Sequence, residues 1–233
     1  MADEEKADLT NVLFVCTGNT CRSPMAEHLM KWLYEIRGID GYAASRGLSA
    51  SSEFNLSVKK KLHATLESAL AVKELDAISR ISMHIPLPLA YEDVEDAGIV
   101  LTMTEDHRDT IIDYAKGMYR DDFSRKVFTL KEYAGFAEEY DVQDPMTGHG
   151  EYEKIDGKKV WVKKSDEEIL QIYRNCRDEI LTCLECILDS PAPALEPILE
   201  TREIRKLKGR RRKETQKIQG LQRGRRLKWE RRA

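Results

Sequence analysis

Three observations along the chain predict an α/β fold, a parallel sheet covered by helices on both faces. Short apolar runs that stop abruptly alternate with longer stretches of helical periodicity. The first of these runs, "VLFV" at 12–15, passes through a glycine-containing loop straight into a helical segment. At 233 residues and 41% hydrophobic composition, the chain is long enough for one sizeable domain of this kind plus an appendage.

The elements follow in order. The first ten residues, "MADEEKADLT", form an acidic, polar extension. Val12–Val15 is the first buried strand. From Pro24 to about Arg37, apolar residues at Met25, Leu29, Trp32, Leu33 and Ile36 mark a helix, with the proline at its first position, where no N–H is needed. A second strand is expected over Gly41–Ser45, and a helix over Val58–Leu75 from Leu62, Leu66, Ala69 and Leu70. "GIVLTM" (98–103) is the third strand, followed by a helix from Glu105 to about Ala115, and "KVFTL" (126–130) is the fourth. Two β-favouring runs flank Asp156-Gly157 in "YEKIDGKKVWV" (152–162), a hairpin signal. This hairpin is either a surface excursion or a flap that touches substrate. Ser165 is a suitable N-cap for the long amphipathic helix behind it, whose first turn is acidic.

Charge divides the chain. Of 38 Lys+Arg and 41 Asp+Glu, residues 201–233 hold 15 and 3, a net of +12; residues 1–200 keep 23 and 38, a net of −15. The three prolines of "SPAPALEP" (190–197) precede the change. We therefore expect a domain at 11–189 with the 152–162 hairpin inserted in it, and a Pro-containing linker and basic tail at 190–233. No apolar run approaches the roughly 18 residues needed to span a bilayer, and the N-terminus fits no secretory or transit signal, so a cytoplasmic location is expected. Five cysteines at 16, 21, 176, 183 and 186 do not resemble a secreted disulfide framework and are expected to be reduced. The last three fall on one helix face as core residues, and no metal site is assigned to them.

The chemistry concentrates where the first strand ends. In open parallel sheets, ligands sit beyond the strands' carboxyl ends, which is where Cys16 lies. The loop Thr17–Arg22, through Gly18, Asn19, Thr20 and Cys21, can turn successive N–H groups inward as an anion nest, with the following helix N-terminus adding positive charge. Such a setting binds phosphate oxygens and favours a thiolate. Arg22 adds a cationic fork that clamps two phosphate oxygens. A buried cysteine that merely closes the strand is the bland alternative.

"FVCTGNTCRSPMAE" (14–27), "VLTM" (100–103), "KVFTLKEY" (126–133) and "DP" (144–145), in this order, resemble the low-molecular-weight protein tyrosine phosphatase family over about residues 11–188. The resemblance implies a three-layer α/β/α fold with a four-stranded parallel sheet and a phosphate-binding loop after the first strand. It also implies hydrolysis of phosphorylated proteins through a phosphocysteine, with neither metal nor cofactor. By the same resemblance, Cys16 is the nucleophile, Arg22 the phosphate clamp and Asp144 the general acid and later base. Asn19 holds the loop in shape, Ser45 of "SRG" braces it, and Ser23 stabilises the thiolate through its hydroxyl. Independently, a phosphorylated cysteine needs an activated water, and a carboxylate that first donates and then accepts a proton supplies it; an Asp that only opens an Asp-Pro turn is the other reading of Asp144.

Within the family, the loop "CTGNTCRSP" is similar to that of the bacterial protein arginine phosphatases. Thr20 stands where tyrosine-directed members carry a bulky aliphatic residue, and no aromatic follows Asp144-Pro145 to form a slot for a flat ring. We therefore expect phosphoarginine as substrate, with phosphotyrosine as the alternative. A non-catalytic phosphate-binding module or an arsenate reductase ranks lower. Serines in "GLSASSEF" (47–54) replace a wall residue common in relatives, with Phe54 as a substitute. The resemblance further implies a reversible thiol switch between Cys16 and Cys21, close enough in sequence to pair if geometry permits. The tail's "KLKGRRRK" and "RGRRLKWERR" could take nucleic acid or acidic partners by charge alone, or stay a solvated extension.

Overall fold

The computed structural model of the chain describes residues 8–50, 64–75, 80–136, 138–190, 198–203 and 205. Expectations for the N-terminal extension before residue 8, for Phe54, for the 58–63 part of the second helix and for the tail beyond 205 lie outside the described residues. The chain divides into two units, Met1–Pro193 and Ala194–Ala233. In the second, residues 198–203 are helical.

The first unit opens with β1 (Asn11–Cys16), α1 (Arg22–Arg37) and β2 (Tyr42–Gly47), then α2 (Leu66–Lys73) and α3 (Tyr91–Asp96). It continues with β3 (Ile99–Thr102), α4 (Glu105–Met118), β4 (Val127–Thr129) and the single turn α5 (Leu130–Tyr133). A hairpin of β5 (Gly150–Ile155) and β6 (Lys158–Lys163) leads to α6 (Asp166–Asp189). β1 to β4 make one parallel sheet in the order β2-β1-β3-β4. The expected α/β/α sheet is therefore observed, with β1 inside it.

Burial on both faces explains why β1 reads as a continuous apolar run rather than an alternating one. Leu13 and Val15 point to one face, where Val100, Val127, Val94, Ile111 and Ile112 join them in a core roofed by α3 and α4. The intervening Val12 and Phe14 are equally buried on the opposite face. Helices α1 and α6 pack on each other through faces that bury Met25, Leu29, Leu33, Tyr173, Ile180 and Leu184. Cys176 and Cys183 lie in this buried stripe of α6, as expected of core residues, and Cys186 is half-buried.

Local capping accounts for where the boundaries depart from expectation. α1 begins at Arg22 rather than Pro24, so the proline sits third in the helix, still within the turn whose N–H groups have no helical partner. β4 stops at Thr129 instead of Leu130 because Thr129 and Glu132 form a reciprocal capping box that starts α5. Among the described residues α2 starts at Leu66, where Thr65 Oγ1 accepts the Ser68 N–H. Ser165 caps α6 with Glu168 as expected. Asp156 and Gly157 both have positive φ, 51° and 76°, as a two-residue hairpin turn of the primed type requires.

β2 runs on to Gly47, opposite Cys16, and places it under the loop that leaves β1. A Cβ at Gly47 would lie 2.8 Å from the Thr17 carbonyl oxygen and 2.9 Å from the Asn19 nitrogen, both rigid backbone. Gly47→Ala is expected to destabilise the domain by about 1–3 kcal/mol, read as a lower urea midpoint with an unchanged slope.

Candidate active site

The loop 17–21 is held from outside by its carbonyls. Leu48 N–H donates to the Cys16 carbonyl (3.0 Å), Ser49 N–H to Thr17 (2.8 Å) and Thr65 N–H to Thr20 (2.9 Å). With these carbonyls committed elsewhere, Asn19 N–H points at Cys16 Sγ from 3.3 Å. Ser23 Oγ, from the first turn of α1, lies 3.0 Å from the same sulfur. α1 has Cys21 at its N-cap with no side-chain cap, so its N-terminal N–H groups add to the positive end of the loop. Cys16 is buried to 3% exposure, at the base of this cradle.

Asn19 is the pin. It is fully buried and adopts a left-handed φ of 54°, a conformation that asparagine tolerates better than most residues. Its Nδ2 donates to Ser23 Oγ (3.0 Å) and Ser45 Oγ (2.8 Å). Its Oδ1 accepts from Leu87 N–H (2.9 Å) and lies 3.1 Å from His84 Nε2. Ser45 in turn donates to Glu27 Oε2 (2.6 Å), a buried carboxylate of α1 that also pairs with Lys31. One side chain thus ties the loop to α1, β2 and the 84–87 segment.

Arg22 is 4% exposed and directs its guanidinium away from α1, donating to the Val142 carbonyl (3.0 Å) and to Asp144 Oδ2 (2.7 Å). Asp144 opens a 3-10 turn over Pro145–Gly148, its Oδ1 accepting Met146 N–H and its carbonyl accepting Thr147 Oγ1–H. The turn holds the carboxylate half-exposed above a buried cation. The residues from Cys16 to Ser23 therefore run from the end of β1 through the loop into the first turn of α1, with Ser45 bonded to Asn19 and Asp144 paired with Arg22. Thr20 is half-buried, with Oγ1 3.6 Å from Cys21 Sγ. Cys16 and Cys21 are free thiols; burial pushes the Cys21 thiol above its ordinary range, and Thr65 and Tyr173 hydroxyls flank it at 3.7 and 3.8 Å.

Sequence reasoning missed two groups. His107, on the first turn of α4, has Nε2 2.9 Å from Thr17 Oγ1, while its buried Nδ1 has no hydrogen-bond partner among the described residues. Burial and then the Arg22 charge push its pKa down to about 4, so it stands neutral beside the loop, with Asp106, Asp141 and Asp144 opposing the shift. "TEDHR" carries the N-cap signal that places it, but nothing local says that α4 starts beside the loop. His149 is the second; its Nε2 lies 3.1 Å from Tyr173 Oη, and that hydroxyl reaches Cys21. Among the described residues, no helix is long and apolar enough to cross a membrane.

A buried cysteine thus lies at the carboxyl edge of a parallel sheet, beside a loop amide and the helix N-terminus, with an arginine–aspartate pair next to the loop. The chain belongs to the low molecular weight phosphotyrosine protein phosphatase family, whose model matches residues 11–180. It is 40% identical over 170 residues to the protein-arginine-phosphatase of Bacillus subtilis, covering 73% of this chain and 89% of that protein. It is 36% identical over 139 residues to the low molecular weight protein-tyrosine-phosphatase PtpB of Staphylococcus epidermidis, covering 59% and 81%. Among solved structures, it is similar to the YwlE arginine phosphatase in a mutant form with a phosphorylated active-site serine, at 35% identity and a TM-score of 0.53, covering 76% of this chain and 91% of that one. The chain is a protein phosphatase of this family.

The depressed His107 pKa has a sign that can be measured. A folded-state value near 4 against about 6.5 unfolded makes its contribution complete above 6.5 and lost as pH falls towards 4. We expect His107→Gln, which can keep a hydrogen bond to Thr17, to shrink the loss of unfolding free energy between pH 7 and pH 5 by about 2 kcal/mol. Urea titrations at the two pH values read it.

Proposed function

We propose that this chain removes phosphate from phosphoarginine on proteins, through a phosphocysteine at Cys16. The observation that carries the arginine reading is the mouth of the site: a threonine at 20 and a carboxylate at 144, with no aromatic among Pro145, Met146, Thr147 and Gly148. A guanidinium is cationic and planar with several donors, so a carboxylate recognises it where a phenol would need an apolar slot. The likeness to the Bacillus subtilis protein-arginine-phosphatase supports this reading.

In the mechanism, the phosphoryl group enters the amide cradle and Arg22 turns its fork onto two phosphoryl oxygens. Cys16 Sγ attacks phosphorus as thiolate, steadied by Asn19 N–H and the Ser23 hydroxyl. The P–N bond breaks as the Asp144 carboxyl delivers its proton to the departing guanidino nitrogen. Water then attacks the phosphocysteine, giving its proton to the Asp144 carboxylate, and the S–P bond breaks to release phosphate and the thiolate. Thr20 lines the path of that water, and Thr17, Gly18 and Cys21 complete the cradle, Cys21 also serving as the redox partner of Cys16. Phosphorylated proteins are the substrates, and five free cysteines suit a cytoplasmic setting. Catalysis belongs to residues 11–189, with 190–233 as an appendage.

The test is kcat/KM on matched phosphoarginine and phosphotyrosine peptides, with Cys16→Ser as the blank. A phosphoarginine preference of at least tenfold, about 1.4 kcal/mol in transition-state binding, is expected, and Thr20→Ile should move it towards phosphotyrosine. A wild-type preference for phosphotyrosine would overturn the arginine reading while leaving Cys16, Arg22 and Asp144 in their roles. Asp144→Ala should lower kcat by roughly 10²–10⁴-fold, measured in single-turnover hydrolysis.

A further inference from the structure

The β5–β6 hairpin begins six residues after Asp144 and has two chemically different faces. Directly paired residues of an antiparallel ladder share a face, and successive residues alternate. The register pairs Gly150 with Lys163, Tyr152 with Trp161 and Lys154 with Lys159 on one face. On the other it pairs Glu151 with Val162 and Glu153 with Val160. One face therefore carries an aromatic pair between lysines and no carboxylate, and both glutamates lie on its reverse.

Side-chain contacts agree with this segregation. The Tyr152 and Trp161 rings meet edge to face at 5.0 Å, and Lys159 Nζ sits 4.8 Å from the centroid of the Tyr152 ring. A Cβ at Gly150 would lie 2.8 Å from the Trp161 ring, so the indole lies across that glycine. Tyr152 is nonetheless 61% exposed and Trp161 49%, a large aromatic surface for a two-stranded sheet, which is marginal by itself. Lys163 pairs with Asp166 at the base, leaving Lys154 and Lys159 to set the charge.

The root of the hairpin is tied to the site. Lys164 N–H donates to the His149 carbonyl (2.9 Å), and His149 meets the Tyr173 hydroxyl that lies against Cys21. We infer that the Tyr152–Trp161 face with Lys154 and Lys159 is a docking surface for acidic segments flanking the phosphorylated residue of a protein substrate. The inference rests on the phosphatase reading for its partner, and charge argues for the occupant. Residues 1–200 carry a net of −15 and repel an acidic chain, whereas this face offers it cations beside aromatic contact area.

The experiment crosses two variables in four peptides: phosphoarginine or phosphotyrosine, each within acidic or neutral flanks. Wild type and Lys154→Glu/Lys159→Glu are compared on all four at low and high salt. For whichever phosphoresidue is hydrolysed, we expect acidic flanks to raise kcat/KM about five- to tenfold through KM. The double variant should lose that gain and keep its rate on neutral peptides, and 0.5 M salt should abolish the contrast. Trp161→Ala should lose part of the gain at unchanged charge. The phosphoresidue contrast tests the arginine reading and the flank contrast tests the docking face, so each can fail alone. Equal rates on acidic and neutral flanks in wild type would overturn the proposal, as would an equal loss on both in the double variant. A single-stranded oligonucleotide that binds with Kd below the acidic peptides and loses binding in Trp161→Ala, or a wild-type dimer that the double variant dissolves, would assign the face to another partner.

Discussion

The site depends on four hydrogen bonds made by one buried amide. Asn19 holds a left-handed backbone angle that most side chains would make costly, and its carboxamide recovers that cost by satisfying both donors and its acceptor inside the protein. The conformation it holds turns its own amide towards Cys16, and the outward carbonyls are taken up by Leu48, Ser49 and Thr65. The partners of Asn19 come from three parts of the chain, α1, β2 and the 84–87 segment, so the cradle requires these elements to be assembled around the end of β1. The parallel sheet supplies this: strand pairing of β1 with β2 carries Ser45 and Gly47 to fixed places beneath the loop.

Electrostatics are arranged around the same cradle with economy. Arg22 is nearly buried, and a buried guanidinium demands partners; the Val142 carbonyl and Asp144 provide them. That pairing delivers a carboxylate to the mouth of the loop from a segment more than a hundred residues away. His107, next to Arg22, is held neutral by burial and by that cation, so it steadies Thr17 without adding a second positive charge. Tyr173 closes the back of the loop at Cys21 and extends the connection to His149 and so to the hairpin.

The parts that could be read directly from the chain are those in which local chemistry and global position coincide. "VLFVCTGNTCRSP" announces strand, loop and helix together because the apolar run, the turn residues and the N-terminal helix residues are contiguous. Asp156-Gly157 and Ser165 were equally legible, since turn and cap geometry depend on a few neighbouring residues. Boundaries shifted where two local signals competed, as at Thr129, whose capping box with Glu132 overrode a β-favouring run. The helix expected from 58 begins, within the described residues, at the Thr65 cap, and the short α3 and the 3-10 turn at Ile81–Met83 carried too little periodicity to be seen.

The sequence by itself determined the fold class and marked the strand–loop–helix segment that carries Cys16 and Arg22, because the apolar run, the turn residues and the start of the helix are contiguous there. Only the tertiary structure decided that Asp144 stands one hydrogen bond from Arg22, that His107 rests neutral on Thr17, and that Glu27 and His84 stand behind Asn19. It also decided that the hairpin parts its lysines and aromatics from its glutamates, since that follows from strand register. These are contacts between distant segments, created when burial and sheet pairing bring them together; no spacing along the chain encodes them.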